Sequence, residues 1–321
     1  MKVFITGATG FIGSYVCHEL VNRGYVVRAL KRRQSKIPAK LKDLSIEWIE
    51  GDLLDFFSLQ EGMQDCDYVY HCAGFVSLAN TEKRAMYQVN IEGTKNMVNA
   101  ALISGIRKFG HISSVAALNT LKETIDERAL FTLQKRRDAY GTSKYYGEME
   151  VWRGAAEGLN TVVINPSIVL ADPDWSQGSG RFFKTINKGL RYYPSGGTGF
   201  VDVMDVAICL ISLMESDIVN EKFIINAENL SFKDFFSLIA KKMHKPVVDR
   251  KLPRWMLSLA WRACAVYAWI TGNEPLISRF SANAASQMQR YSNMKLVDAL
   301  QYDFLPIEAA IDKHIHASAL K

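Results

Sequence analysis

The stretch Val3-Phe4-Ile5-Thr6-Gly7-Ala8-Thr9-Gly10-Phe11-Ile12-Gly13 decides the fold. A β-branched and aromatic run leads into three glycines spaced Gly-x-x-Gly-x-x-Gly, and an amphipathic helix follows with Ile12, Val16, Leu20 and Val21 on one face. Strand, glycine turn and helix N-terminus together make an anion site, because free backbone N–H groups and the helix dipole point at one place. Gly7 allows the sharp turn, Gly10 lets the backbone approach a pyrophosphate, and Gly13 lets the helix pack close to the strand. Three glycines alone also occur in purely structural turns. The strand before and the helix after favour a bound dinucleotide, held by Gly7, Thr9, Gly10, Phe11, Ile12 and Gly13.

Working outward, strand-like runs recur at Val3–Thr6, Val26–Leu30, Ile46–Ile49, Tyr68–Cys72, Phe109–Ile112 and Thr161–Ile164. Helical patterns separate them, notably Lys83–Gly105 and Tyr140–Gly158. The alternation predicts a doubly wound α/β fold, a parallel sheet with helices on both faces and a ligand crevice at the strand C-termini. After Asn165-Pro166 the pattern loosens, and Asp172–Gly180 is a polar loop of turn residues. Phe200–Val203 is expected to return to the sheet, Phe223–Asn226 to be a short strand, and the chain from Ser231 onward to be mostly helical. The predicted division is a dinucleotide-binding domain of residues 1–166 plus about 199–226, and a smaller substrate lobe of about 167–198 and 227–321.

The 321 residues are 48% hydrophobic and carry a net charge of +6 without a basic block, which argues against a nucleic-acid tail. Five cysteines without Cys-x-x-Cys pairing read as buried thiols of a reducing, cytoplasmic setting. The first strand starts at Lys2, with no leader pattern before it. Trp255–Ile270 is apolar but shorter than a membrane span and interrupted by Arg262, so a buried or pocket-lining helix is expected there rather than surface attachment.

An acid at the end of the second strand would bind the ribose hydroxyls of NAD. This chain reads Arg28-Ala29-Leu30-Lys31-Arg32-Arg33 instead. Such a cluster suits a 2′-phosphate, so NADP is expected over NAD, with Lys31 and Arg32 as its ligands; a solvated basic turn is the structural alternative. Asp52 and Leu53, after the third strand, are placed to meet the adenine, although Asp52 beside Gly51 also reads as a turn residue.

Tyr140 and Lys144 lie four apart and share one helical face. A free tyrosine titrates near pH 10, too high for proton transfer at neutral pH. A neighbouring ammonium favours the phenolate and would tune it for acid–base work on a carbonyl oxygen. A second such pair, Tyr291 and Lys295, shows that the spacing alone is not specific. Tyr140 is distinguished by following the fifth strand, which ends in His111-Ile112-Ser113-Ser114. A hydroxyl there could hold the substrate oxygen, with Ser114 preferred and Ser113 the substitute. Asn90, opening Asn90-Ile91-Glu92-Gly93-Thr94, is read as a nicotinamide-side residue or as a helix-packing one. His71 and His111 lack metal-ligand spacing and read as core or turn histidines, and no metal is expected.

Together these residues resemble the extended short-chain dehydrogenase/reductase family, also called the NAD-dependent epimerase/dehydratase family. The resemblance rests on Gly7/Gly10/Gly13, Gly51-Asp52-Leu53, His71-Cys72-Ala73-Gly74, Asn90-x-x-Gly93-Thr94, Ser113-Ser114, Tyr140-x-x-x-Lys144, Asn165-Pro166-Ser167 and Phe200-Val201-Asp202-Val203-Met204-Asp205-Val206-Ala207. It implies that Tyr140 is the acid–base, that Lys144 tunes it and binds the nicotinamide ribose, and that Ser114 holds the substrate oxygen. It further implies that Pro166, Ser167 and Ile168 lie against the nicotinamide, and that Ala73, Gly74, Asn90 and Ser113 complete the cofactor site.

Gly197-Thr198-Gly199 stands where sugar-nucleotide enzymes of the family carry an arginine, and the basic run at Arg28–Arg33 is similar to that of the dihydroflavonol reductase and 3β-hydroxysteroid dehydrogenase branch. The implied activity is NADP(H)-dependent interconversion of a ketone or aldehyde with its alcohol, on an apolar substrate roofed by Trp255 and Trp261. Sugar-nucleotide epimerisation with tightly bound NAD, and non-catalytic NADP sensing, are the alternatives. The family's Gly-Pro after Asn-Pro-Ser-Ile-Val-Leu is Ala171-Asp172 here, which alters the expected substrate loop. The two long helices could form the homodimer seen in relatives.

Overall fold

The computed structural model describes residues 1–77, 79–118, 123–129, 139–171, 178–253, 255–256, 259, 261–264 and 284–319. Seven strands form one parallel sheet in the order β11-β7-β5-β4-β1-β2-β3. They are β1 (Lys2–Thr6), β2 (Val26–Lys31), β3 (Ile46–Glu50), β4 (Tyr68–His71), β5 (Lys108–Ile112), β7 (Thr161–Pro166) and β11 (Glu221–Ile225). Every neighbouring pair is parallel, with registers such as Ile5 opposite Ala29 and Tyr70, and His71 opposite His111. The expected doubly wound fold is therefore present, and the strand order reverses between β1 and β4.

Strand residues alternate between two cores, as the pleat requires. Val3, Ile5, Tyr70, Val162 and Ile164 face one side, under α1 (Phe11–Asn22) and α7 (Val203–Glu215). Phe4, Val69, Phe109 and Val163 face the other, under α2 (Phe56–Gly62), α4 (Gly93–Ile103) and α5 (Ala139–Ala156). Burial on both faces explains the continuous apolar runs. Asp55 caps α2 and Asp202 caps α7, the latter by accepting from the Met204 N–H at 2.8 Å. At the base of β5, the buried Lys108 ammonium donates to the Leu213 and Ser216 carbonyls and so closes the C-terminal end of α7.

Two expectations need correction. Phe200–Val203 does not rejoin the main sheet. The strand there, β10 (Gly197–Asp202), pairs parallel with β8 (Ile168–Leu170) and antiparallel with β12 (Glu228–Ser231) in a separate sheet. β7 ends at Pro166, which has no N–H to extend the ladder; the Ser167 N–H makes one last bond to the Ile225 carbonyl, and the chain passes into β8. Lys83–Gly105 is not one uniform helix. The helix α3 (Lys83–Tyr87) passes through a π-helical turn, Gln88–Glu92, before α4 begins. That turn carries Asn90.

Beyond the main sheet, Leu170, Phe183, Phe200, Phe232, Phe235, Ile239, Ile307 and Ile311 form a third core. Phe200 stacks on Phe235 with centroids 4.0 Å apart. From Ser231 the described chain is mainly helical, with α8 (Phe232–Lys242) and the helices Met294–Leu300 and Ile307–Ala319. Short strands intervene: Arg250–Lys251 beside Tyr192–Tyr193, and Arg290–Tyr291 beside Thr124–Ile125. Most of the polar loop at Asp172–Gly180 lies outside the described residues, as does much of Trp255–Ile270. Trp255 is 64% exposed and Leu259 57%, so the expectation of a buried helix is not met at these positions.

Candidate active site

The glycine turn stands at the C-terminal edge of β1, in the crevice of the strand-order switch. Gly7 has φ +74°, and a Cβ there would lie 2.6 Å from the Ala73 nitrogen, so the turn is pressed against the loop that follows β4. A Cβ on Gly13 would lie 2.2 Å from the Gly7 carbonyl oxygen and 3.1 Å from Cys72 Cβ. The close approach at Gly13 is thus to the turn and to Cys72, not simply to the strand. A Cβ on Gly10 would meet only the Gly7 oxygen, at 3.1 Å. Gly10 begins α1 with no side-chain cap, and Gly10 and Phe11 are exposed. Among the described residues the N-terminal end of α1 is thus exposed at Gly10 and Phe11, which suits a pyrophosphate.

At the ends of β2 and β3 lies a cavity of about 720 Å³ lined by Arg32, Arg33, Gln34, Ser35, Glu50, Gly51, Asp52 and Asp55. Of the four basic residues in the sequence cluster, two are engaged elsewhere. Arg28 donates to the Gly62 and Gln64 carbonyls and pairs with Glu47 at 2.9 Å. Lys31 pairs with Glu50 at 3.3 Å across the β2–β3 register. Arg32 and Arg33 are the cations that line the cavity. The difference follows the end of the strand: Arg28 and Lys31 lie within β2, where Glu47 and Glu50 of β3 stand opposite them, whereas Arg32 and Arg33 follow it. Asp52 accepts from the Leu54 N–H at 2.9 Å, so its carboxylate closes a turn at the cavity wall. The Leu53 carbonyl is held by Asn96 Nδ2 at 3.0 Å.

The catalytic candidates gather at the end of β5. Lys144, on the helix that begins at Ala139, is 5% exposed and donates from Nζ to the Ile112 carbonyl at 2.7 Å. Burial lowers its amine from the ordinary lysine range to about 8, with the Glu148 carboxylate acting the other way. Tyr140 stands one turn earlier on the same helix, half-buried. Ser114, extended and two residues past the end of β5, accepts from the Ala116 N–H at 3.1 Å and so starts the short helical turn Val115–Ala117, which packs against α5. Ser113, the substitute, donates instead to Glu148 Oε2 at 2.8 Å and is buried. Gly74 faces this cluster from the loop after β4, since a Cβ on it would lie 3.6 Å from Asn90 Oδ1 and 3.7 Å from Lys144 Nζ. The glycine turn, residues 72–74 and Lys144 are thereby brought together.

Asn90 braces this arrangement. Its amide donates to the Phe75 carbonyl and to Ser143 Oγ, both at 2.9 Å, and its oxygen accepts from the Phe75 N–H at 2.8 Å. Both ends of the amide are thus bonded to protein. Behind it, His71 Nε2 lies 3.0 Å from Thr94 Oγ1 and His71 Nδ1 lies 2.8 Å from Thr6 Oγ1. Thr94 gives its proton to the Asn90 carbonyl, so His71 must donate from Nε2 and accept at Nδ1. Burial, with the Lys144 charge adding to it, pushes His71 down to about 3 and His111 well below its ordinary value. The two rings stack 5.1 Å apart. Both histidines are core residues, in agreement with the sequence reading.

The segment Pro166–Ile168, expected to lie against the nicotinamide, starts where β7 stops. Pro166 is buried, the Ser167 N–H donates to Ile225 at 3.0 Å, and Ile168 opens β8. The second Tyr–Lys pair separates cleanly: Tyr291 is on a strand with its hydroxyl on Gln289, and Lys295, on a helix, pairs with Glu221. Sequence reasoning passed over Glu148 and Arg33. Arg33 was visible only as one member of a basic run, and Glu148 only as a helical acid four residues past Lys144.

A profile of the NAD dependent epimerase/dehydratase family matches residues 3–226, which contain every residue of this site. The chain belongs to that family. Family members of its extended short-chain type are NAD(P)-binding oxidoreductases, and this chain is an enzyme of that kind. It is 30% identical, over 98% of its length and 93% of the relative's, to the "Putative dihydroflavonol 4-reductase" of Synechocystis. It is 28% identical to cinnamoyl-CoA reductase 1 of Petunia hybrida over 74% of this chain and 76% of that one. Among solved structures, gox2253 superposes with a TM-score of 0.85 at 27% identity, covering 99% and 98% of the two chains. The UDP-glucose 4-epimerase of Thermotoga maritima superposes with a TM-score of 0.80 at 20% identity over the whole of both chains, and so shares the fold. Among the described residues no helix is long and apolar enough to cross a membrane.

Proposed function

We propose that this enzyme interconverts a ketone or aldehyde with its alcohol using NADP(H). The observation that carries the reading is the Lys144 ammonium, held 2.7 Å from the Ile112 carbonyl in a buried site one helical turn from Tyr140. The open N-terminus of α1 and the cavity flanked by Arg32 and Arg33 fit the pyrophosphate and the 2′-phosphate of NADP. Gly7, Thr9, Gly10, Phe11, Ile12, Gly13, Asp52, Leu53, Ala73, Gly74, Pro166, Ser167 and Ile168 would line the remaining length of the nucleotide. A bound nicotinamide supplies the hydride for reduction, or accepts it in oxidation.

The chain's own residues would handle the proton and the oxygen. Ser114 would donate a hydrogen bond to the substrate oxygen and fix its position. Tyr140 would give its phenolic proton to that oxygen as the carbonyl is reduced, or take it back as the alcohol is oxidised. Lys144, as an ammonium, stabilises the phenolate that results. Asn90 and Ser143 hold the first turn of α5, so that Tyr140 and Lys144 keep their relative placement. The reductase names of the two relatives agree with net reduction.

A panel of carbonyls and alcohols assayed with NADPH and NADP+ at the nicotinamide absorbance band tests the reading. Tyr140→Phe should bind NADPH normally and lose turnover by about a thousandfold or more, the scale of a removed general acid. Full activity in that variant, or a tightly held, non-exchanging NAD in the purified protein, would overturn it.

A further inference from the structure

Among the buried charges that the mechanism does not use, Glu148 stands next to the candidate site. Glu148 is 2% exposed and sits on α5, one turn beyond Lys144. Its Oε2 accepts from Ser113 Oγ at 2.8 Å and from Asn165 Nδ2 at 3.0 Å. Its Oε1 accepts from Trp152 Nε1 at 3.2 Å and lies 3.6 Å from Lys222 Nζ. Asn165 Nδ2 also donates to the Ser114 carbonyl at 3.1 Å, and Pro166 follows directly. One carboxylate thus joins the ends of β5 and β7, the body of α5, and β11. Burying a carboxylate is costly unless several donors meet it, and a mid-helix packing position needs no charge at all.

We propose that Glu148 is a positioning residue of the reaction: it ties the strand ends carrying Ser114 and Pro166 to the helix carrying Tyr140 and Lys144, and it is the counter-charge of the Lys144 ammonium. The inference rests on the dehydrogenase reading above. Tyr140 faces Lys144 from one turn earlier on the same helix, and three further groups near that lysine are uncharged. His71 on β4 and His111 on β5 are held neutral by burial, and burial raises the Cys72 thiol after β4 so that it too stays neutral. Glu148 supplies the negative charge, and Lys222, 24% exposed, opposes it from β11.

The two charges give opposite expectations. Competitive acetylation of the Lys144 amine, read by mass spectrometry across pH, titrates it without turnover. Glu148→Gln keeps the shape and removes the charge, and it should lower the Lys144 midpoint by about 1 pH unit. The ammonium fraction at pH 8 then falls about fivefold, and kcat for carbonyl reduction should fall with it while KM changes little. Lys222→Met removes a cation and should raise the midpoint by roughly half a unit. Glu150→Gln, an acid of the same helix paired with Arg153, serves as the control and should leave the midpoint in place.

A Glu148→Gln midpoint unchanged from the parent, or a Lys222→Met midpoint that falls, overturns the proposal. If Glu148→Gln does not fold, as judged by circular dichroism, the direction of the Lys222→Met shift decides. If Tyr140→Phe is inactive and neither midpoint moves, this inference fails while the dehydrogenase reading stands. If Tyr140→Phe is fully active, that reading fails on its own.

Discussion

Asn90 Nδ2 donates to Ser143 Oγ at 2.9 Å, and Ser143 Oγ donates to the Tyr140 carbonyl at 2.8 Å. A π-helical turn 53 positions away in sequence thus steadies the first turn of the helix bearing Tyr140 and Lys144. A Cβ on Gly147 would lie 2.3 Å from the Asn90 carbonyl, so the two helices touch backbone to backbone at this point.

Asn90→Ala would leave the half-buried N–H and C=O of Phe75 without their partner and remove one of the two bonds of the Ser143 hydroxyl. The expected loss is about 1–2 kcal/mol of folding free energy, from half-buried groups that lose their partner. Urea unfolding monitored by tryptophan fluorescence checks the size. Because the loop at Phe75 and the start of α5 both slacken, kcat should fall by more than cofactor affinity does. A variant as stable and as active as the parent would contradict the bracing role.

Gly10 and Gly13 should fail in different ways. Alanine at 13 collides with the Gly7 carbonyl, so Gly13→Ala is expected to lower both the Tm and NADPH affinity. Alanine at 10 meets the Gly7 carbonyl oxygen less closely, at 3.1 Å, and occupies the exposed end of α1. Gly10→Ala should lower the Tm less than Gly13→Ala does and weaken NADPH binding about tenfold or more, the scale of one excluded charge-assisted contact. Calorimetry together with nucleotide titration separates the two cases.

Cofactor choice should follow Arg32 and Arg33 rather than Lys31. Removing either guanidinium should raise the KM for NADPH by about tenfold and leave NADH little changed, since NADH lacks the 2′-phosphate. Lys31→Ala should have a smaller effect, because that ammonium already faces Glu50. Equal losses with NADPH and NADH in the arginine variants would count against a 2′-phosphate site.

Acid sensitivity should arise from the buried histidine pair. The folded chain holds His71 and His111 neutral, His71 titrating at about 3. The unfolded chain protonates both near 6.5, so below that pH it binds more protons than the folded chain does. Stability is therefore complete above pH 6.5 and falls as the pH drops toward 3, by up to about 1.4 kcal/mol per pH unit for each ring. Both ring nitrogens of His111 lack a partner among the described residues. His111→Phe should leave the Tm at pH 7 equal or higher and make the acid slope shallower. A Tm at pH 7 well below the parent's would show that His111 has a bonding role.

The chain by itself determined the fold and half of the site, because those features rest on local rules. Gly7, Gly10 and Gly13 are sterically required in a strand–turn–helix, alternating apolar segments require a covered parallel sheet, and Tyr140 and Lys144 share a face through helical periodicity alone. What each polar group spends its bonds on was decided only by the tertiary structure. A glutamate four residues past a lysine reads as a solvated helix charge. Only the adjacency of β5, β7 and β11 delivers Ser113, Asn165 and Lys222 to Glu148 and makes it a buried hub. In the same way Lys31 and Arg32 look equivalent in sequence until the β2–β3 register sets Glu50 against Lys31. Asn90 had two readings until a π-helical turn aimed it at Phe75 and Ser143. Periodicity is a property of a segment, whereas hydrogen-bond satisfaction is a property of which segments become neighbours.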